Sequence, residues 1–330
     1  MSSTDESREY GRGSAAYGGD AWEGRSRSHA QELGSLWAEC GIDSEWRKLR
    51  RVVLYRPGQE LAVDEGAVDA NLFLAPLDVG RAQAEHDAMR AAYLASGVQV
   101  TDVHPPTPVS PNQMFCADLF AMTPQGAILA RPAPAARAGE EVHVARALAE
   151  AHVPILKTLI GDAVFEGADM LWIDEQTALV ARGHRTNQVA INQITGVLDD
   201  IGCRAIVVDL PVGTMHLMGV IRIPSKSVAI CWYRRTPVTA VNALRERGYT
   251  VSFIPAAEDA RDIYRAMNFV TLDDGKVLMV EGVPEAIRFL ESLHIECVTS
   301  PTRELAKAAG NMGCLTGVVA RERKALTDIV

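Results

Sequence analysis

No stretch of the 330 residues comes near the roughly 20 consecutive apolar residues that a membrane-spanning helix needs. No long basic run is present either. Lys and Arg total 33 against 42 Asp and Glu, a formal net charge of −9, which argues against nucleic-acid binding as the main activity. The first twenty residues, MSSTDESREYGRGSAAYGGD, lack the charged-then-apolar pattern of a secretory leader, so a cytoplasmic location is expected. The six cysteines, Cys40, Cys116, Cys203, Cys231, Cys297 and Cys314, are widely spaced and form no CxxC pair. A chain of this size does not need disulfide staples, and reduced thiols are expected. The eight histidines form no cluster at zinc-binding spacing, and no GxGxxG or Walker-type loop follows a strand-like segment. Neither a metal nor a nucleotide cofactor is expected.

What remains is an ordinary globular composition, 48% hydrophobic and 23% charged. Residues 1–45 are rich in Ser, Gly and charge and read as a flexible extension, with one short helix around SHAQELGSLWAEC. Residues 46–330 read as a single catalytic domain opening on the strand RRVVLYRPG. Within that domain a pattern repeats. DLFAMTPQGAILARP, DMLWIDEQTALVARG, VIRIPSKSVAICWYR and FVTLDDGKVLMVEG each read as strand, tight turn, strand. Each is followed by a helical pattern and one more short strand, at intervals of roughly 50 residues, the period of a propeller or array. A fifth unit is assembled from the two ends, RRVVLYRP with its helix AQAEHDAMRAAYLASG and strand VQVTDVHP, and the terminal LTGVVARE. The reading is an α/β fold, a five-bladed α/β propeller of ββαβ units. An open mixed α/β sheet is the alternative.

A closed ring would bring Asp118, Asp169, His216 and Cys314 together, because each stands at the entrance of a hairpin. Taken singly, each has a plain reading. Glu166 and Asp169 in FEGADMLW could cap a turn, His216 in GTMHLMG could be a packed core histidine, and Cys314 between Gly313 and Gly317 could be a small core residue. Taken together, a cysteine, a histidine and a carboxylate form a nucleophilic constellation, and further carboxylates suit a cationic substrate.

EGAD, HRTN, MHLMG and GCLTG, in this order and on this repeat, resemble the guanidino-group-modifying superfamily over about residues 46–325. That superfamily comprises arginine deiminases, dimethylarginine dimethylaminohydrolases, arginine dihydrolases and amidinotransferases, and its fold is a five-bladed ring called the pentein fold. The resemblance implies a small guanidino substrate and assigns roles. Cys314 is the implied nucleophile, His216 the general acid and base, and Glu166 the residue that holds His216. Asp118 is implied to bind the guanidinium nitrogens with Phe115 over its plane. Asn112 matches a substrate-binding asparagine, and Arg137 and Arg185 match arginines that grip an amino acid's carboxylate. Asp169 is grouped with the substrate-binding residues, with bracing of the loop as its other reading.

Two departures stand out. The superfamily's deiminases and amidinotransferases carry His-x-Asp, where this chain has His216-Leu217-Met218. Their Phe-x-Arg-Asp is here Phe115-Cys116-Ala117-Asp118. Met218 cannot bind a guanidinium edge but can tolerate a substituted nitrogen. Cys116 is read as structural, turned to the far face of an extended segment. The expected activity is cysteine-dependent hydrolysis of arginine or a modified arginine through a covalent thiouronium. Amidino transfer to an amine and a non-catalytic binding propeller are the alternatives. No nucleic-acid or membrane partner is expected, and a homodimer is a plausible assembly.

Overall fold

The computed structural model describes residues 13–106, 109–256 and 260–323. Among the described residues fifteen strands form five three-stranded sheets, each built alike. The first sheet orders β1 (Leu49–Leu54) between β2 (Gln99–Asp102) and the last strand of the chain, β15 (Gly317–Arg321). The second holds β3 (Phe120–Thr123), β4 (Gly126–Leu129) and β5 (Ile155–Thr158), the third β6 (Met170–Asp174), β7 (Thr177–Arg182) and β8 (Arg204–Asp209). The fourth holds β9 (Ile221–Ser225), β10 (Val228–Cys231) and β11 (Thr250–Phe253), the fifth β12 (Val270–Asp273), β13 (Lys276–Val280) and β14 (Glu296–Ser300). In every sheet the central strand runs antiparallel to its hairpin partner and parallel to the strand that returns after a helix. The expected ring of ββαβ units is the observed architecture, and the pairing of β15 with β1, Val53 opposite Gly317, joins its ends.

Local chemistry accounts for the units. The hairpin turns are two residues long, and the one between Asp273 and Lys276 is Asp274-Gly275, with Gly275 at φ 79°, the left-handed backbone that tight hairpins require. The crossover helices are α2 (Val79–Ala95), α3 (Glu140–Glu150), α4 (Gln188–Asp200), α5 (Val238–Glu246) and α7 (Pro284–Ser292); single helical turns α1 (His29–Glu32) and α8 (Met312–Leu315) and the short α6 (Ala260–Ala266) complete the set. In α4 the side chain of Asn187 accepts from Ala190 N and caps the start, and Ala190, Ile191, Ile194 and Leu198 form the buried face at helical spacing. Central strands such as β4 and β7 are buried almost throughout, so they read as continuous apolar runs rather than alternating ones.

Neighbouring blades are tied by polar bridges. Trp172 Nε1 donates to Met122 O at 2.9 Å, Tyr249 OH to Ile173 O at 3.0 Å, Thr271 Oγ1 to Ile223 O at 3.0 Å, and Arg321 Nη1 to Thr271 O at 2.8 Å. The remaining seam, between the first and second blades, is closed by a segment expected to belong to the extension. Gly41 N donates to Val319 O and Ile42 N to Thr123 O, and Cys40–Ser44 are buried. Residues 41 and 42 thus supply backbone donors that two strand edges need. The helix expected around residues 28–40 is reduced to the single turn α1, which carries a capping box between Ser28 and Gln31. All six cysteines are free, and no helix among the described residues is long and apolar enough to cross a membrane.

Candidate active site

Each hairpin begins with a residue held at one end of the ring. Helical turns Cys116–Asp118, Gly167–Asp169 and Leu217–Gly219 precede β3, β6 and β9, and α8 precedes β15. These turns present Asp118, Asp169, His216 (which starts the third turn in extended conformation) and Cys314. The fifth entrance, before β12, is occupied by Asn268.

His216 sits between two carboxylates. Its Nε2 lies 2.7 Å from Glu166 Oε2, and its Nδ1 lies 3.8 Å from Asp118 Oδ1. Burial opposes the charged imidazolium, but the Asp118 charge and the hydrogen bond and charge of Glu166 outweigh it and raise His216 from 6.5 to about 9. Glu166 is fully buried. Burial alone would raise it, yet His216, Arg137 and Arg185 hold it well below the usual carboxylate range. Its oxygens also accept from Arg185 Nη1 at 3.0 Å, from Arg137 Nη1 at 3.4 Å and from Ala133 N at 3.2 Å.

Asp118 is 3% exposed. One oxygen accepts from Arg137 Nη1 at 2.7 Å, and Oδ1 is buried without a hydrogen-bond partner. Such an acceptor is costly to leave unpaired and fits a ligand donor. Asn112, Phe115, Asp118, Arg137, Arg185, His216 and Cys314 all border one small cavity of about 20 Å³. Phe115 lies against Gly310, whose Cα has no room for a side chain beside the ring, and Arg137 stands 5.7 Å over that ring.

Cys314 is partly exposed at this cavity. Its Sγ lies 3.3 Å from Asn268 Nδ2 and 3.9 Å from Tyr264 OH, and its backbone N donates to Asn268 Oδ1 at 3.2 Å. The glycine before it is required. A Cβ on Gly313 would collide with the Arg222 guanidinium and lie 2.8 Å from Asn268 Oδ1. Arg222 is buried and donates from Nε to Met267 O at 2.8 Å, so a fixed cation stands directly behind the thiol turn.

Two of the expected site residues are engaged by the protein itself. Asp169 does not face the cavity. Its oxygens accept from Thr186 Oγ1 at 2.6 Å and from Leu217 N at 3.0 Å, so it braces the backbone after His216. Arg137 is 2% exposed, and its guanidinium is engaged by Asp118, Glu140 and Glu166, which leaves it holding carboxylates of the protein rather than gripping one of a substrate. Arg185 likewise bonds Glu166, while Asn112 donates from Nδ2 to Asn71 O at 2.9 Å. Cys116 is buried, as expected of a structural residue, but it lies in a helical turn and not in an extended segment; burial pushes its thiol far up. Asp118, Glu166 and His216 offer ligand atoms within 4.8 Å of one another. Glu166 is already hydrogen-bonded to His216, and the guanidinium groups of Arg137 and Arg185 adjoin the carboxylates, so the cluster suits an imidazolium better than a divalent cation.

Asn268, Tyr264 and Arg222 escaped the sequence reading. A signal for Asn268 was present, since it stands two residues before β12 as Asp118 stands two before β3. Arg222 could have been noticed as a lone cation in the otherwise apolar IRIPS strand.

The arginine deiminase family pattern matches residues 104–221, the stretch that supplies Asn112, Asp118, Glu166 and His216. A curated relative, the N(G),N(G)-dimethylarginine dimethylaminohydrolase of Streptomyces coelicolor, is 26% identical over 268 residues, 81% of this chain and 96% of its own length. These matches make the chain similar to members of the guanidino-group-modifying superfamily. Solved structures of the superfamily share the fold. The DDAH of Pseudomonas aeruginosa, a cysteine-to-serine variant complexed with citrulline, superposes with a TM-score of 0.68 at 19% identity, over 83% of this chain and 100% of that one. SxtG, an amidinotransferase of Microseira wollei in the saxitoxin biosynthetic pathway, gives a TM-score of 0.72 at 16% identity, over 86% and 98%. At these identities the superpositions establish the superfamily's fold and not a choice among its reactions.

Proposed function

We propose that the chain is a cysteine-dependent hydrolase of a guanidino compound, arginine or a modified arginine, that releases a ureido product with ammonia or an amine. The observation that carries this reading is Asp118: a buried carboxylate with one oxygen on Arg137 and the other unpartnered, beside the small cavity that Cys314 and His216 share. A guanidinium edge offers the donor that this oxygen lacks. Phe115 covers the plane of the group, and Asn112 and Arg185 border the same cavity.

The chemistry follows from what each group can do. A guanidinium is a poor electrophile, and a thiolate is the nucleophile suited to it. The Cys314 thiolate attacks the central carbon and forms a C–S bond, giving a tetrahedral adduct. With Nε2 held by Glu166, Nδ1 is the ring nitrogen of His216 that can serve the reaction. It gives its proton to the departing nitrogen as the C–N bond breaks, and a covalent thiouronium stays on Cys314. Water then attacks the same carbon and loses a proton to His216. The C–S bond breaks, the electron pair returns to sulfur, and the ureido product leaves. Glu166 keeps His216 able to carry the proton in the first step, and Asn268 fixes the thiol turn.

The testing experiment is a product assay on arginine, methylated arginines, agmatine and guanidino acids, with and without glycine or ornithine. The expected result is a ureido product independent of any acceptor and absent with Cys314→Ser. Acceptor-dependent product would replace hydrolysis by amidino transfer. Full activity in Cys314→Ser would overturn the reading.

A further inference from the structure

A second cavity opens on the other side of the reactive pair. It measures about 310 Å³ against about 20 Å³ for the one beside Asp118, and the two share Met215, His216, Ala309 and Cys314. The small cavity has room for little more than the edge of a planar group. The bulk of any ligand whose carbon sits at Cys314 must therefore extend into the large one.

The walls of that cavity are mainly apolar, with Leu74, Met215, Met218, Val220 and Trp232, and Arg222, Arg235 and Arg261 also border it. Met218 stands two residues after His216, so the apolar wall begins immediately beside the general acid. Among the described residues no carboxylate side chain lines this space, so it holds no anionic partner for the α-ammonium of an amino acid. Arg137, expected to receive an amino acid's carboxylate, is engaged by three carboxylates of the protein. Gly219 adds a further indication. A Cβ built on it meets nothing within 4 Å, and its backbone is not left-handed, so this wall position is left open where a side chain would fit.

We infer that the substrate is a guanidine whose nitrogen carries a bulky, mainly apolar group, seated in the cavity between Met218, Val220 and Trp232. This rests on the hydrolase reading above and narrows its substrate class. Shape and apolar burial select the ligand here, with recognition of an amino-acid backbone secondary.

Benzylguanidine and methylguanidine are the probes, because they share the reactive group and differ in the substituent. Calorimetric binding to the Cys314→Ser protein is expected to favour benzylguanidine by at least about tenfold, since each buried methylene is worth about a factor of four. Gly219→Phe, which fills the cavity from a wall position with room for it, is expected to cut that preference to below about threefold. Equal binding of the two probes, no binding of benzylguanidine, or an unchanged preference in Gly219→Phe would overturn the inference. Turnover by the unaltered enzyme separates the two readings. Benzyl-selective binding without any ureido product supports the cavity and removes the hydrolase, whereas methylguanidine hydrolysis without benzyl selectivity does the reverse.

Discussion

Glu166→Gln isolates the electrostatic part of the account. The substitution keeps the size of the side chain and an oxygen that can accept from His216 Nε2, now 2.7 Å from a carboxylate. It removes the negative charge while Arg137, still paired with Asp118 and Glu140, and Arg185 stay in place, so the imidazolium loses a partner and faces a net gain of positive charge. Asp118 continues to favour the charged form, so the fall is partial. A hydrogen bond to a charged group is worth about 1.5–3 kcal/mol, which corresponds to about one to two pH units. His216 should then titrate near 7 to 8 rather than about 9. If the first step needs the protonated ring, turnover at pH 8.5 falls about tenfold from protonation alone, and the protonation effect nearly vanishes at pH 6. Any loss from altered orientation is the same at every pH. The assay is a pH profile of kcat, paired with an NMR titration of the His216 ring. An alkaline limb that stays where it is in the unaltered enzyme, with a ring titration equally unmoved, would refute the reasoning.

Three further outcomes follow from the geometry. Gly313→Ala drives a methyl group into Arg222 and Asn268 and should lower kcat by at least about tenfold with a smaller change in Tm, measured by steady-state kinetics and thermal melts. Thr186→Val leaves a buried oxygen of Asp169 unpaired and should cost about 1.5–3 kcal/mol in denaturant unfolding. His216→Gln should flatten the pH dependence of stability. The folded protein raises His216 from 6.5 to about 9, so its stabilisation is present in full below about 6.5 and is lost as pH climbs through about 9. The amount is at most about 3 kcal/mol, and because Glu166 and His216 form one ion pair it is counted once.

The ring was legible because its units repeat in hydrophobic pattern and turn chemistry, features local enough to survive in a linear string. Segments such as FVTLDDGKVLMVEG announce strand, Asp-Gly turn and strand without tertiary information, and the closure of β15 on β1 follows once four units have left two orphan arms. Which entrance residues face the cavity was less legible. Asp118 and Asp169 hold equivalent places in the chain, but Thr186 and Leu217 occupy the oxygens of one, while one oxygen of the other stays open. That difference arises from partners on other blades. Arg137 shows the same limit, since its three carboxylate contacts come from positions 118, 140 and 166. The packing of residues 40–44 was not legible because they have no strand pattern of their own and are held by backbone bonds to Thr123 and Val319. Asn268 was missed for a different reason: an asparagine before a strand looks like any turn residue until its four counterparts are aligned beside it.

The central claim is that Cys314 becomes covalently bonded to the guanidino carbon. Acid quenching of the enzyme during turnover of its best substrate, followed by intact-mass and peptide mass spectrometry, tests this directly. The account predicts one added amidine-bearing group, equal to substrate less its leaving amine, on the peptide that contains Cys314, and none in the Cys314→Ser protein. An adduct on another residue, or rapid product formation by Cys314→Ser, would contradict it.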